Sequence, residues 1–268
     1  MSVAVVIPIY RSTLTPHEQI SLQQCLKVLA QYPIVVVKPV SLELIGWQPY
    51  LPVIQQISLP DYYFEGIAGY NKMMLSATFY QQFSQFDYIL IHQLDAFVFS
   101  DQLQNWCQKG YDYIGAPWLK DVDFKSTWEE QWFNLKKWIA IRWNLKKADG
   151  ITPKEIQSIN SVGNGGFSLR KVNTFLQAIA QFSAEIEHYL TQPQHHFNED
   201  VFWSIEVNRR GRYLQIPDWR VALHFAVEFF PEKAYRFNNQ QLPFGCHAWD
   251  IHETEFWRPY FKAQGYDI

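Results

Sequence analysis

Cysteine is scarce in this 268-residue chain, and the three present, Cys25, Cys107 and Cys246, are odd in number and lack metal-type spacing. That excludes a paired disulfide framework and points to a reducing compartment. An excess of basic charge is missing too: the formal net charge is −3, so sequence-independent binding to nucleic acid is excluded as a primary role. The first residues, Ser2-Val3-Ala4-Val5-Val6-Ile7-Pro8, have no basic n-region and no small-residue cleavage site, and the run is far too short to span a bilayer. It reads as a first strand, in a cytoplasmic protein. No Ser/Gly/Pro-rich linker, low-complexity tract or internal repeat divides the chain. One α/β domain over residues 1–268 is therefore expected. Neither a phosphate-loop lysine motif nor a dinucleotide fingerprint occurs.

What is present is apolar and aromatic: 48% hydrophobic residues and 17% Phe, Trp and Tyr, ample for a large core. Residues 3–9 form a continuous apolar strand. Thr15-Pro16-His17-Glu18 supplies an N-cap, a proline at the first helical position and a capping-box glutamate. The helix that follows places Leu22, Cys25, Leu26 and Leu29 on one face and ends at Pro33, before a second strand over residues 34–37. Residues 70–83 read as a second helix, with Met73, Met74 and Ala77 inward. Residues 88–99 read as one long central strand, and Ser100-Asp101 caps a short helix through Trp106. Alternation of strand and helix predicts a mostly parallel sheet flanked by helices, joined by right-handed crossovers. Ligands of such sheets sit at the carboxyl ends of the strands.

Asp95 lies inside the apolar run Tyr88 to Phe99. A carboxylate there costs several kcal/mol unless held, which leaves a metal ion with its phosphate ligand, or a cap on nearby backbone N–H groups. Val162-Gly163-Asn164-Gly165-Gly166-Phe167 makes a turn whose N–H groups suit an oxygen-rich ligand. In Asn198-Glu199-Asp200, Asn198 can be an N-cap with two acids complementing the helix dipole, or Asp200 can take a proton from a substrate hydroxyl. His247, in Gly245-Cys246-His247, is a packed histidine unless it folds back to Asp95, where the two would give a divalent ion a carboxylate and an imidazole. Over residues 124–147, Trp128, Trp132, Leu135, Ile139 and Trp143 recur at helical spacing beside Lys136, Lys137, Arg142, Lys146 and Lys147. That is either a helix packed on the sheet, or a lid, with a solvated basic side, or a surface for an anionic membrane or lipid-linked substrate.

Gln93-Leu94-Asp95, Tyr113-Ile114-Gly115-Ala116-Pro117-Trp118, the Gly-Asn-Gly-Gly-Phe-Ser-Leu-Arg run ending at Arg170, Asn198-Glu199-Asp200 and Gly245-Cys246-His247 occur together, in that order. The combination resembles an incompletely characterised bacterial family of GT-A-type glycosyltransferases, from Tyr70 onward. The resemblance implies a GT-A-like, Rossmann-like fold: residues 1–100 as nucleotide-sugar-binding half, 101–268 as acceptor half, and a helical insertion at 124–158. It also implies transfer of a hexose from a nucleoside diphosphate donor to a glycan or lipid-linked acceptor, in bacterial surface polysaccharide synthesis at the inner face of the membrane.

On that resemblance, Asp95 and His247 hold a divalent cation, Mn2+ or Mg2+. Gln93 stands where the family motif usually has a second aspartate, so the ion is expected to arrive with the nucleotide-sugar. The nucleotide base lies over Pro8, Ile9 and Tyr10, with Arg11 or Lys72 assisting the diphosphate. Asp200 is the general base for an inverting displacement and Glu199 the fallback base. Trp118 with Gly163, Asn164, Gly165 and Gly166 forms the acceptor and sugar walls. The alternative is a non-catalytic nucleotide-sugar- or carbohydrate-binding member of the same fold.

Overall fold

A computed structural model describes all of residues 1–268. Its main sheet has six strands: β1 (Val3–Pro8), β2 (Ile34–Pro39), β3 (Gln55–Leu59), β4 (Tyr88–His92), β6 (Tyr113–Gly115) and β7 (Phe167–Lys171), in the order β3-β2-β1-β4-β7-β6. Strands β1 to β4 are parallel, β7 runs antiparallel to β4, and β6 antiparallel to β7. The expected mostly parallel sheet is found. Its faces follow the period-two rule of a strand: Val3, Val5 and Ile7 of β1 join one hydrophobic cluster with Leu90, while Ala4 and Val6 join the other with Ile89 and Ile91. Strand β3 is an edge strand, exposed at both glutamines and at Ser58, with only Ile57 and Leu59 turned to the core.

A second sheet is small: β5 (Phe97–Val98), β8 (Ala226–Val227) and β9 (Gly245–Cys246), in the order β5-β9-β8. Here the structure corrects the single strand expected over residues 88–99. The chain leaves the main sheet after His92, turns through residues 93–96, and enters the second sheet at Phe97. Asp95 therefore sits in a turn between two sheets and not inside a strand.

Helix α1 (Pro16–Val28) opens with the expected capping box of Thr15 and Glu18. The helix expected over 70–83 is instead two pieces, α2 (Gly66–Met74) and α3 (Ala77–Gln81), because the Ser76 hydroxyl accepts from Phe79 N and starts a new helix. Helix α4 (Leu103–Gln108) follows Asp101, whose carboxylate accepts from Leu103 N. Between β6 and β7 lies α5 (Thr127–Arg142), sixteen residues of which Ala140 alone is fully buried. It does not pack on the sheet through its tryptophans. Glu130, Phe133, Lys137, Ala140 and Ile141 face the body, Lys137 Nζ donating to Asn160 O at 2.9 Å. No helix is long and apolar enough to cross a membrane.

Candidate active site

Strand order reverses between β1 and β4, and the crevice outside such a switch point is where doubly wound sheets bind ligands. Strand β1 delivers Pro8, Ile9, Tyr10 and Arg11 there, and β4 delivers Gln93 and Asp95. Between them opens a cleft of about 800 Å³, at the upper end of small-molecule sites. Its other walls are Tyr63 to Asn71, the Asn164-Gly165-Gly166 turn, Asn198 to Asp200, and His247 with Asp250.

The second sheet assembles one corner of this cleft. Val227 and Cys246 are parallel partners, so the residues that follow them, Glu228 and His247, emerge side by side. Strand β5 runs antiparallel to β9, which returns Asp95 to the same end. His247 Nε2 lies 3.1 Å from Asp95 Oδ1 and 3.2 Å from Gln93 Oε1, and Nδ1 lies 3.3 Å from Glu228 Oε1. Burial alone would lower the His247 pKa, but the Asp95 carboxylate and then Glu228 push it up to about 10. In return Asp95 stays below the usual carboxylate range despite its own burial.

The donor set suits a hard divalent cation. Glu228 Oε2 is sealed from solvent with no hydrogen-bond donor of its own, and Asp95 Oδ1 has His247 Nε2 alone. Neighbouring ligands around an ion bound at about 2.1 Å are about 3 Å apart, the spacing of His247 Nε2 from Asp95 Oδ1 and from Gln93 Oε1. Glu228 on Nδ1 is placed where a carboxylate would keep the far nitrogen of the imidazole protonated and oriented were Nε2 to ligate an ion. Sequence reading missed Glu228, because a lone Val-Glu-Phe-Phe segment carries no motif.

Opposite this corner stand the two acids, and the structure separates their roles. Glu199 Oε1 and Oε2 accept from Arg170 Nη2 and Nη1 at 2.9 and 3.0 Å, in a pair with side chains 3% and 0% exposed. Arg170 also donates to the Tyr80 hydroxyl, the Ser168 hydroxyl and Gly165 O. A carboxylate engaged on both oxygens by a buried guanidinium is committed to that pair, which gives Glu199 a structural task and argues against it as a fallback base. Asp200 has no such partner. Burial, then the neighbouring Glu199 charge, push its pKa up to about 8. Asn198 occupies the N-cap position, yet its side chain caps nothing. The cap comes from Asn71 on α2, whose Oδ1 accepts from Glu199 N at 3.0 Å while its amide donates to Asn198 Oδ1. Just past Asp200 the helix widens to a π-helical turn over Phe202–Glu206, a local irregularity common at functional sites.

The glycine run serves close approach more than it serves as an anion cradle. The Gly163, Asn164 and Gly166 amides are used internally, on Ala116 O and Asn164 Oδ1. A Cβ on Gly165 would lie 2.2 Å from Glu199 Oε1, and one on Gly166 would lie 2.0 Å from His247 Nε2. Only glycine lets β7 enter between these two clusters.

Other expected residues lie elsewhere. Lys72, expected to assist the diphosphate, is instead exposed on the outer side of α2, its ammonium 4.6 Å from the Tyr62 ring centroid, and does not line the cleft. Gly163 packs against the Trp118 ring. Trp118 lines a neighbouring pocket of about 290 Å³, with Lys154, Glu155, Tyr189, His195 and His196. That pocket and the cleft share Asn198 and Asp200. Arg11 does reach the cleft, paired with Glu18.

Sheet order, switch-point cleft and the two facing clusters together define the class, a GT-A-type glycosyltransferase fold. Two solved structures share it: the bifunctional glycosyltransferase WbbM, at TM-score 0.50 and 14% identity over 92% of this chain, and an active-site mutant of LgtC, at TM-score 0.50 and 13% identity over 91% of this chain and 86% of that one. The chain spans 45% of the length of WbbM. By sequence, residues 53–247 match the family described as "Protein of unknown function (DUF5672)", and the chain belongs to that family. No curated protein matches it in sequence.

Proposed function

We propose that this chain transfers a sugar, a hexose, from a nucleoside diphosphate donor to a glycan or lipid-linked acceptor, with inversion at the anomeric carbon, in the synthesis of bacterial surface polysaccharide. The observation that carries the reading is Asp200: one carboxylate, unpaired and with its pKa near 8, forms the wall common to the large cleft and the Trp118 pocket. A base is needed between a donor and an acceptor, and the bond Asp200 Oδ1 accepts from Val201 N leaves its other oxygen for that task.

In this reading Pro8, Ile9 and Tyr10 face the base of the nucleotide, and Arg11, half neutralised by Glu18, faces its phosphates. Residues 1–100 thus supply most of the donor half, while the glycine turn and residues 198–200 close it from the acceptor half. A divalent cation, Mn2+ or Mg2+, held by Asp95 and His247 with the Gln93 carbonyl beside them, supplies positive charge where the diphosphate leaving group forms. Glu228 holds the His247 ring in place from behind. Trp118 offers an aromatic face to the acceptor sugar. Asp200 Oδ accepts the acceptor's hydroxyl proton as the new bond to the anomeric carbon forms, and the nucleoside diphosphate leaves from the opposite side. Arg170 fixes Glu199, and the Glu199 charge keeps Asp200 basic enough to take that proton near neutral pH.

The test is a panel of nucleoside diphosphate sugars assayed by nucleotide release with Mn2+ and a bacterial glycolipid extract, on the parent, Asp95→Ala and Asp200→Ala. Release by the parent, lost in both variants, supports the reading. Donor binding without release in every combination sinks it and favours a non-catalytic binder; full transfer by Asp200→Ala sinks the base.

A further inference from the structure

Helix α5 is amphipathic the wrong way round for a packed helix. At about 100° per residue, Trp128, Trp132, Leu135, Ile139 and Trp143 fall on one stripe, and all five are exposed, Trp128 by 81% and Trp143 by 70%. The face toward the body is the polar-tempered seam of Glu130, Phe133, Lys137 and Ala140. An apolar stripe aimed away from its own fold costs solubility unless something covers it.

The chemistry beside the stripe says what. Apart from the body-facing Lys137, residues 124–147 carry five cations, at 125, 136, 142, 146 and 147, against two acids, in a chain whose net charge is −3. Lys136 and Arg142 flank the tryptophans directly, their cations 5.3 Å from the Trp132 ring and 5.8 Å from the Trp143 ring. Protein interfaces favour tryptophan but are depleted in lysine. Tryptophan together with lysine on one exposed helix face is the composition of a helix lying in a lipid headgroup layer. We infer that α5 docks this protein on an anionic lipid bilayer, through the Trp128 to Trp143 stripe with Lys136 and Arg142 on headgroup phosphates.

The docking surface is wired to the Trp118 pocket. Lys137 donates to Asn160 O, Asn160 N donates to Trp118 O, and Gln157, a wall of that pocket, donates to Leu145 O just past the helix. A docked α5 holds the pocket near the headgroups, which selects a lipid-linked acceptor; this last step rests on the transferase reading, the docking does not.

The test is sedimentation of the full chain with vesicles of phosphatidylcholine alone or mixed with phosphatidylglycerol. Binding is expected to the anionic vesicles, with a blue shift of tryptophan fluorescence and weakening by salt. Lys136→Ala with Arg142→Ala should weaken it about 30-fold, from about fivefold per cation. Trp128→Ala, Trp132→Ala and Trp143→Ala combined should abolish it, with the thermal midpoint unchanged because these side chains support no packing. Absence of vesicle binding by the parent overturns the proposal, as does a concentration-dependent dimer, seen in sedimentation velocity, that the tryptophan variant dissolves and vesicles do not. Vesicle binding without nucleotide release in the donor panel would leave the docking standing and remove the transferase reading alone.

Discussion

Glu199→Gln isolates the division of labour between adjacent acids. The substitution keeps the shape of the side chain and removes its charge, so it leaves the Arg170 guanidinium, fully buried among Tyr80, Tyr113 and Phe175, with no counter-charge. Breaking a buried pair from one side costs about 3–5 kcal/mol. Against a total of about 5–15 kcal/mol, that is a large share. For a chain of this size each kcal/mol moves the melting temperature by about 2–4 °C, so calorimetry should show a fall of about 6–20 °C. Arg170→Met combined with Glu199→Leu, which removes both charges and fills the space, should recover most of the loss. With Arg170→Met and Glu199→Leu also made singly, the non-additive part of the double-mutant cycle measures the coupling of the pair. A melting temperature of Glu199→Gln within about 2 °C of the parent, with transfer abolished, would refute the assignment and return Glu199 to the chemistry.

Asp200→Asn should lower nucleotide release by about 10²–10⁴-fold, the usual worth of a general base, with Tm held or raised. The folded pKa of Asp200, near 8, lies above its ordinary 3.8, so between those values the folded chain keeps a proton the unfolded chain has released. Stability falls with rising pH across that window. The melting temperature of Asp200→Asn should accordingly draw ahead of the parent's as pH rises from about 4 to about 8, while the parent's transfer rate rises toward pH 8. Parallel melting curves would remove the shift and its cause. Gly166→Ala puts a Cβ 2.0 Å from His247 Nε2; Mn2+ affinity by calorimetry should fall about 10–100-fold, and unchanged affinity would place the cation elsewhere. All three cysteines are buried, with the Cys25 and Cys107 thiols pushed up to about 12 by burial. A thiol reagent at neutral pH should label none of them before unfolding.

Legibility from sequence tracked locality. The first strand, the capping box at Thr15 and the strand-helix alternation depend on residues close in the chain, and each was readable. The break at Ser76 was not, since a serine within a helical pattern becomes an N-cap only once packing ends the first helix at Met74. Strand β7 was hidden behind its glycine turn, and its antiparallel sense is a tertiary fact. At the cleft, motif residues told where chemistry would gather but not how it would be divided. Nothing local to Asn198-Glu199-Asp200 says that Arg170 holds the first acid and leaves the second, because the partner lies 29 residues away. The amphipathic spacing of residues 128–143 was visible, and its direction, outward, was not.

Glu228 changes what Gln93 means. The sequence suggested one carboxylate where the motif has two, hence a site short of charge. In the fold, the second carboxylate reaches the same corner from another strand: Glu228 lies on His247 Nδ1 while Asp95 lies on Nε2. A neutral His247 ligating a cation would then sit between two anions, so the charge facing the ion matches a two-aspartate motif, with one carboxylate displaced behind the imidazole. The consequence is measurable. Glu228→Gln should leave the Asp95 contact intact and still lower Mn2+ affinity about 10–100-fold, the cost of losing an outer-shell carboxylate, and it should do so without nucleotide present. An affinity equal to the parent's would mean that Glu228 does not act on the ion through His247, and that a site made by Asp95 and His247 must draw its remaining charge from the donor's diphosphate.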